Sequence, residues 1–184
     1  MSLKPFIVKK EEVLPTANPH LTIVNSTLIA PNGDEVVWGH IKTHDAVVIF
    51  AFDNEQNVYL KREWRLGRKD FVWELPAGFI EQENPTEDQI KAAANRELQE
   101  EIGVKASSLE KLITVYPSNY MTMLSHIYFA TGLEESSLPG DEHEYLEVKK
   151  LPIQEAYELV ISTQIPNSQT VIGFTEAMKR LKIA

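Results

Sequence analysis

The stretch NRELQEEIGV, Asn95 to Val104, sets three glutamates among apolar residues that recur at helical spacing. At about 100° per residue from Ile90, Ala93 falls near about 300°, Ala94 near about 40° and Leu98 near about 80°. These apolar residues mark the buried face. On the same count Glu97 falls near about 340° and Glu101 near about 20°, inside that stripe, with Glu100 at its edge near about 280°. Lys91, Asn95 and Gln99 fall on the other side, toward solvent. A solvated charge run would scatter its glutamates outward. Carboxylates turned inward repel one another and lose hydration unless a cation compensates. A divalent metal answers that need economically, because Mg²⁺ takes carboxylate oxygens together with water and substrate phosphates.

Working outward, NPTEDQIKAAANRELQEEIG reads as one helix. Asn84 is the expected N-cap, Pro85 the first helical residue, Glu87 the capping-box partner and Gly103 the stop. Upstream, LTIVNSTLIA and EVVWGHIKT flank PNGD, a hairpin in which Asn32-Gly33 is expected to supply positive φ angles. AVVIFAF and NVYLKREW read as a strand pair around Asp53-Asn54. FVWELPAGFI reads as a strand that runs into a turn at Pro76-Ala77-Gly78. LEKLITVYP and MLSHIYFATG follow as strands, then the polar loop EESSLPGDEHE. Two helical patterns, near Ile153–Ile161 and Gln169–Leu181, close the chain. Mixed strands with helices outside them define an α+β sandwich. The first ~45 residues, all hairpin, suit a small β subdomain able to dock on a second copy of the chain.

The composition limits the function classes. A chain of 184 residues with 43% hydrophobic content holds one well-packed domain and a small appendage. Zero cysteines exclude disulfides and thiolate metal sites and suit a reducing cytoplasm. The longest apolar run, Ala46 to Phe52, is too short to cross a bilayer, and MSLKPFIVKK lacks the apolar core of a signal peptide. No membrane association is expected. A net charge of −9 without basic clusters argues against nucleic acid as a partner. It leaves room for a small phosphorylated ligand whose charge metal ions offset.

GFIEQENPTEDQIKAAANRELQEEIGV, Gly78 to Val104, closely resembles the signature of the Nudix hydrolases. That signature runs Gly, five residues, Glu, seven residues, Arg-Glu, apolar, any, Glu-Glu, any, Gly, apolar. Arg96, Glu97, Leu98, Glu100, Glu101, Gly103 and Val104 match its second half without a gap. Between Gly78 and Arg96 the chain is four residues longer than the pattern, about one helical turn, read here as added at the helix start. The first Glu of the signature, which pairs with the Arg, corresponds to Asp88 by spacing or to Glu83 by loop context. WELPAG, REWR, EHEYLEV and the ending LPIQEAYELVISTQIPNSQTVIGF resemble the ADP-ribose pyrophosphatase and nucleoside diphosphate sugar hydrolase branch.

The resemblance implies a Nudix α/β/α sandwich with a mixed sheet over residues 45–184. It also implies an N-terminal β subdomain over residues 1–44, through which such enzymes form homodimers, in some cases swapped. It implies two or three Mg²⁺ ions, with Mn²⁺ able to substitute, held by the Ala77 carbonyl, Glu97, Glu100, Glu101 and Glu144. Arg96 and Glu100 belong to the catalytic helix. The general base comes from the Glu-x-Glu loop, so Glu142 is assigned that role, with His143 as its rival. Arg65 matches an arginine that grips the pyrophosphate through a bidentate fork. Trp38 lies where relatives stack an aromatic on the base, and Glu74 is placed to hold a neighbouring backbone or Arg96.

The implied reaction is hydrolysis of a nucleoside diphosphate sugar, such as ADP-ribose or GDP-mannose, to a nucleoside monophosphate and a sugar phosphate. Two alternatives stand beside it: a strict ADP-ribose pyrophosphatase, and a non-catalytic Nudix-fold module that senses nucleotide sugars. The intact Arg96–Glu101 set and the Glu-x-Glu loop weigh against the sensor. Tyr116-Pro117-Ser118-Asn119-Tyr120 lacks the second proline and the glycine of the Tyr-Pro-Ser-Pro-Gly run of ADP-ribose pyrophosphatases, which favours broader specificity.

Overall fold

The computed structural model describes residues 3–140 and 142–183. In chain order its elements begin with β1 (Ile7–Pro15), β2 (Leu21–Ile29), β3 (Glu35–Thr43), β4 (Ala46–Ala51) and β5 (Asn57–Arg65). Next come β6 (Asp70–Glu74), β7 (Ala77–Phe79), α1 (Glu87–Glu101), β8 (Val104–Val115) and β9 (Ser125–Glu135). The chain ends with β10 (Glu147–Pro152), α2 (Ile153–Ile161) and α3 (Ser168–Leu181).

The organising strand is β4, buried at every residue. It is apolar throughout because helices cover both of its faces. Val47, Ile49 and Ala51 face α1, packing with Ile90, Ala93, Ala94 and Leu98. Val48 and Phe50 face the other way, toward Ala156 and Val160 of α2 and Phe174 of α3. The Phe50 and Phe174 rings meet edge-on at 5.0 Å. Strand β9 alternates in the same manner, with Tyr128 and Ala130 toward α1 and Ile127 and Phe129 toward α2 and α3. The mixed sheet runs β7-β4-β9-β8, with β4 and β9 parallel. The result is the α/β/α layering of an α+β fold. A second antiparallel sheet, β10-β5-β6, closes the α2 side, and a third, β1-β2-β3, with β1 exposed throughout, is tied to the segment before β9 by bonds from Ile41 N to the Tyr120 carbonyl at 2.7 Å and from Thr122 N to the Ile41 carbonyl at 3.0 Å.

Several local expectations give way. β4 and β5 are not paired; only a single bridge, Phe52 to Val58, joins them before they diverge into different sheets. A strand covered on both faces needs neighbours on both edges, and β7 and β9 supply them. Ala77-Gly78 is not a turn but strand β7, antiparallel to β4. Helix α1 begins at Glu87 rather than Pro85, capped by Thr86, whose Oγ1 accepts from Gln89 N at 3.4 Å. The Gln89 side chain returns a bond from Thr86 N at 2.8 Å. Asn84 cannot cap, because it is held at φ 51°, whereas a cap residue is extended. Gly103, at φ 71°, ends the helix as expected. In the β2–β3 turn Gly33 alone carries a positive φ, of 91°; Asn32 instead accepts a bond from Asp34 N. Asn95 does not face solvent: its amide clips β8 by bonds to the backbone N and O of Ala106, at 2.8 and 3.2 Å.

Candidate active site

Helix α1 presents Glu97 and Glu101 to the interior, at 7% and 6% exposure, while Glu100 is half-buried. The inversion read from the sequence is therefore real, and β7 explains it. Its glycine lets the backbone pass directly over Glu97: a Cβ on Gly78 would stand 2.0 Å from Glu97 Oε1. One residue earlier, Ala77 N donates to Glu101 Oε2 at 3.0 Å. The Ala77-Gly78 backbone and two helix carboxylates thus form one constellation.

Two cations complete it. Arg96 donates to Glu97 Oε1 at 2.5 Å, to Glu100 Oε2 at 2.6 Å and to the Phe79 carbonyl at 3.1 Å. Lys61 of β5, only 1% exposed, donates to Glu101 Oε1, to Glu63 Oε2 at 3.2 Å and to the Ala77 carbonyl at 3.4 Å. Burial pushes the Glu101 carboxyl up to about 7, against the pull of Lys61 and the Ala77 amide. Burial raises Glu97 as well, opposed by Arg96.

Beside this constellation opens a cleft of about 330 Å³, lined by Arg65, Arg68, Glu74, Ala77, Gly78, Phe79, Asn167 and Gln169, among others. Arg65 forks onto Glu74 Oε2, with Nε at 3.0 Å and an Nη at 2.5 Å, and also reaches Glu63 at 3.0 Å. Glu74 takes a further bond from Asn167 Nδ2 at 3.1 Å. Glu74 therefore braces Arg65 and the start of α3 rather than Arg96.

Other expected residues lie elsewhere. Trp38, on β3, is 54% exposed and packs its ring on Phe6 at 4.7 Å, outside this cleft. Glu83 pairs with Lys42 at 3.6 Å, and Asp88 is exposed in the first turn of α1. Arg96 takes its carboxylate partners from its own helix instead. The loop after β9 docks on the end of α1: Leu138 N donates to the Gln99 carbonyl at 3.1 Å and Ser136 N to that of Gly103 at 3.0 Å. Gly140 lies against the Glu100 carbonyl. Glu142 follows two residues later and is exposed. Glu144 lines a separate groove with Arg62, Phe71, Tyr145 and Glu147.

The sequence reading missed Lys61 and Glu63. A signal was present, since Lys61, Glu63 and Arg65 alternate along β5 and so share one face of that strand. Among the described residues no three acidic or histidine side chains form a ready-made metal cage. Glu97 and Glu100 are turned onto Arg96, and Glu101 onto Lys61. The donor set still suits a hard divalent cation: it is all oxygen, and Mg²⁺ needs only one or two carboxylates when substrate phosphates fill its shell.

Comparison with known proteins agrees with this geometry. Residues 42–170 match the NUDIX domain family. The chain is 31% identical over 148 residues to an ADP-ribose pyrophosphatase of Mycobacterium tuberculosis, covering 78% of this chain and 69% of that one. It is 30% identical over 147 residues to a methanol dehydrogenase activator of Bacillus methanolicus, covering 78% and 77%. The crystal structure of an ADP compounds hydrolase superposes with a TM-score of 0.85 at 25% identity, covering 99% of this chain and 97% of the other. The chain belongs to the Nudix family, in the branch that holds the ADP-ribose pyrophosphatases. It is a Nudix pyrophosphohydrolase, of a family that acts on small nucleotide compounds with divalent metal ions. No helix among the described residues is long and apolar enough to cross a membrane.

Proposed function

We propose that this chain hydrolyses the pyrophosphate bond of nucleoside diphosphate sugars, such as ADP-ribose or GDP-mannose, in a Mg²⁺-dependent reaction. The products are a nucleoside monophosphate and a sugar phosphate. The observation that carries this is that the Ala77-Gly78 backbone, which touches Glu97 and Glu101, also lines the cleft walled by Arg65. The Ala77 carbonyl, Glu97, Glu100 and Glu101 would hold the metal. Divalent ions there supply charge neutralisation on the phosphates and a lowered pKa for the attacking water. Arg65, held flat by Glu74 and Glu63 at the cleft wall, presents its guanidinium face and remaining donors to the diphosphate. Glu142 takes the proton of the attacking water; the docking of the preceding loop on the end of α1 supports that role. Arg96, braced by Glu100, holds Glu97 in place until the substrate arrives.

The chain divides near residue 44 into a β subdomain and the catalytic domain, and it works as a homodimer. The exposed apolar residues Val13, Val37 and Trp38 on the first sheet support that association. Trp38 would then act on the partner's substrate rather than on its own. A narrower reading, hydrolysis of ADP-ribose alone, draws support from the relatives bearing that name. The altered Tyr116–Tyr120 segment weighs toward the broader one.

Ion-exchange product analysis tests the reading. Purified protein is given Mg²⁺ and ADP-ribose, GDP-mannose, UDP-glucose, NADH, a diadenosine polyphosphate and 8-oxo-dGTP, with Glu101→Gln as control. Turnover of several sugar nucleotides to monophosphate and sugar phosphate, abolished by the control, is the expected result. Cleavage of the triphosphate or polyphosphate alone would refute the substrate class. For the base, Glu142→Gln should cut kcat by about 10²–10⁴-fold, whereas His143→Ala should leave it near wild type; the reverse pattern would make His143 the base.

A further inference from the structure

Lys61 is a buried ammonium whose surroundings resemble a cation site more than a simple ion pair. Its Nζ has three hydrogens and no acceptor capacity, and three oxygens receive them: Glu101 Oε1, Glu63 Oε2 and the Ala77 carbonyl. One carboxylate would suffice to neutralise a lysine. Here the ammonium instead gathers two carboxylates and a peptide oxygen, a hard all-oxygen shell of the kind Mg²⁺ takes. Two of those oxygens, from Ala77 and Glu101, belong to the set assigned above to the metal. The stem leaves β5 on the face opposite Leu60 and Arg62, and the side chain is 1% exposed. Its head cannot reach water without the stem leaving the core. A divalent ion entering the same space would meet an unhydrated positive charge at close range in a medium of low dielectric.

We propose that the Lys61 ammonium is a resident cation of the metal site, permanently filling the position between the Ala77 carbonyl and Glu101. This chain then takes up one divalent ion fewer than the same site would hold without the lysine. The inference rests on the metal-dependent reading of the cleft. Lys61 acts through the ligands it holds and is a positioning residue. It keeps Glu101 and β7 in register before any metal or substrate binds. With Arg96, and with Arg65 shared between Glu63 and Glu74, it leaves net negative charge on the Glu97–Glu100 pair, which has Arg96 alone as its bonded cation. The ions drawn from solution are left to Glu97, Glu100 and the second carboxylate oxygen of Glu101, where the diphosphate brings its own oxygens.

The test counts bound Mn²⁺ per chain by electron paramagnetic resonance in mildly alkaline buffer, for wild type, Lys61→Met and Lys61→Gln. Folding is checked by circular dichroism. Both variants should bind one Mn²⁺ more than wild type; equal stoichiometry in all three overturns the inference. Absence of Mn²⁺ binding in all three would overturn the metal reading itself, a distinguishable result. Should neither variant fold, the wild-type protein decides. With Mg²⁺ added until the α1 amide resonances stop shifting, the ¹⁵Nζ signal of Lys61 should stay protected from solvent exchange. Its loss into rapid exchange would mean that metal displaces the lysine, and the inference would fall.

Discussion

Gly78 lies so close over Glu97 that any side chain at position 78 must displace the glutamate: an added Cβ would stand 2.0 Å from Oε1 and 2.1 Å from Cδ of Glu97. The glutamate is buried and held by Arg96, so it has little room to yield. Gly78→Ala should therefore push the carboxylate or β7 out of place at a cost of about 1–3 kcal/mol, typical of overpacking. Steady-state kinetics should show a fall in kcat of about 10²-fold or more, with a folded protein by circular dichroism. Wild-type turnover in that variant would mean that the Glu97 position does not matter to the chemistry.

Metal affinity should depend on pH through Glu101. Burial places this carboxyl near 7 in the metal-free chain. Below that pH the group carries a proton, which metal coordination must expel; above it, none has to leave. The apparent Mg²⁺ affinity should therefore fall as pH drops through about 7, approaching about tenfold per pH unit, and level off above it. Calorimetric titrations in buffers of different ionisation enthalpy measure both the affinity and the proton released. Affinity that stays flat from about pH 5.5 to 8.5 would contradict the assignment of Glu101.

Arg65→Lys separates binding from chemistry. The substitution keeps the charge but loses the planar fork that spans Glu74 and Glu63. The expected outcome is a rise in KM of about tenfold, worth about 1.4 kcal/mol, with kcat changed far less. An unchanged KM would remove Arg65 from the substrate contacts.

Thr86→Ala probes the frame rather than the site. Loss of the cap bond to Gln89 N should cost about 1 kcal/mol and lower Tm by about 2–4 °C. Mg²⁺ affinity should be unchanged, because Glu97 and Glu101 lie in later turns of α1. A Tm equal to wild type would show the capping box to be dispensable.

The sequence by itself determined the periodic features. Helical spacing put Glu97 and Glu101 on the buried face of α1, and both are buried there. The apolar pattern of Ile153–Ile161 marked α2 at its observed bounds. Such readings succeed because a helix fixes the direction of each side chain within its own few turns. Only the tertiary structure decided which strands meet. AVVIFA and NVYLKREW are neighbours in sequence, yet β4 pairs with β7 and the distant β9, because a strand apolar on both faces is most stable at the centre of a covered sheet. The helix start also moved from Pro85 to Glu87, because the loop holds Asn84 at positive φ and leaves Thr86 to cap. Lys61 shows the limit most clearly. Its place beside Glu63 and Arg65 on one face of β5 was legible, but its partners Ala77 and Glu101 come from elements far along the chain. A buried charge is explained by what surrounds it, and those surroundings exist only once the chain has folded.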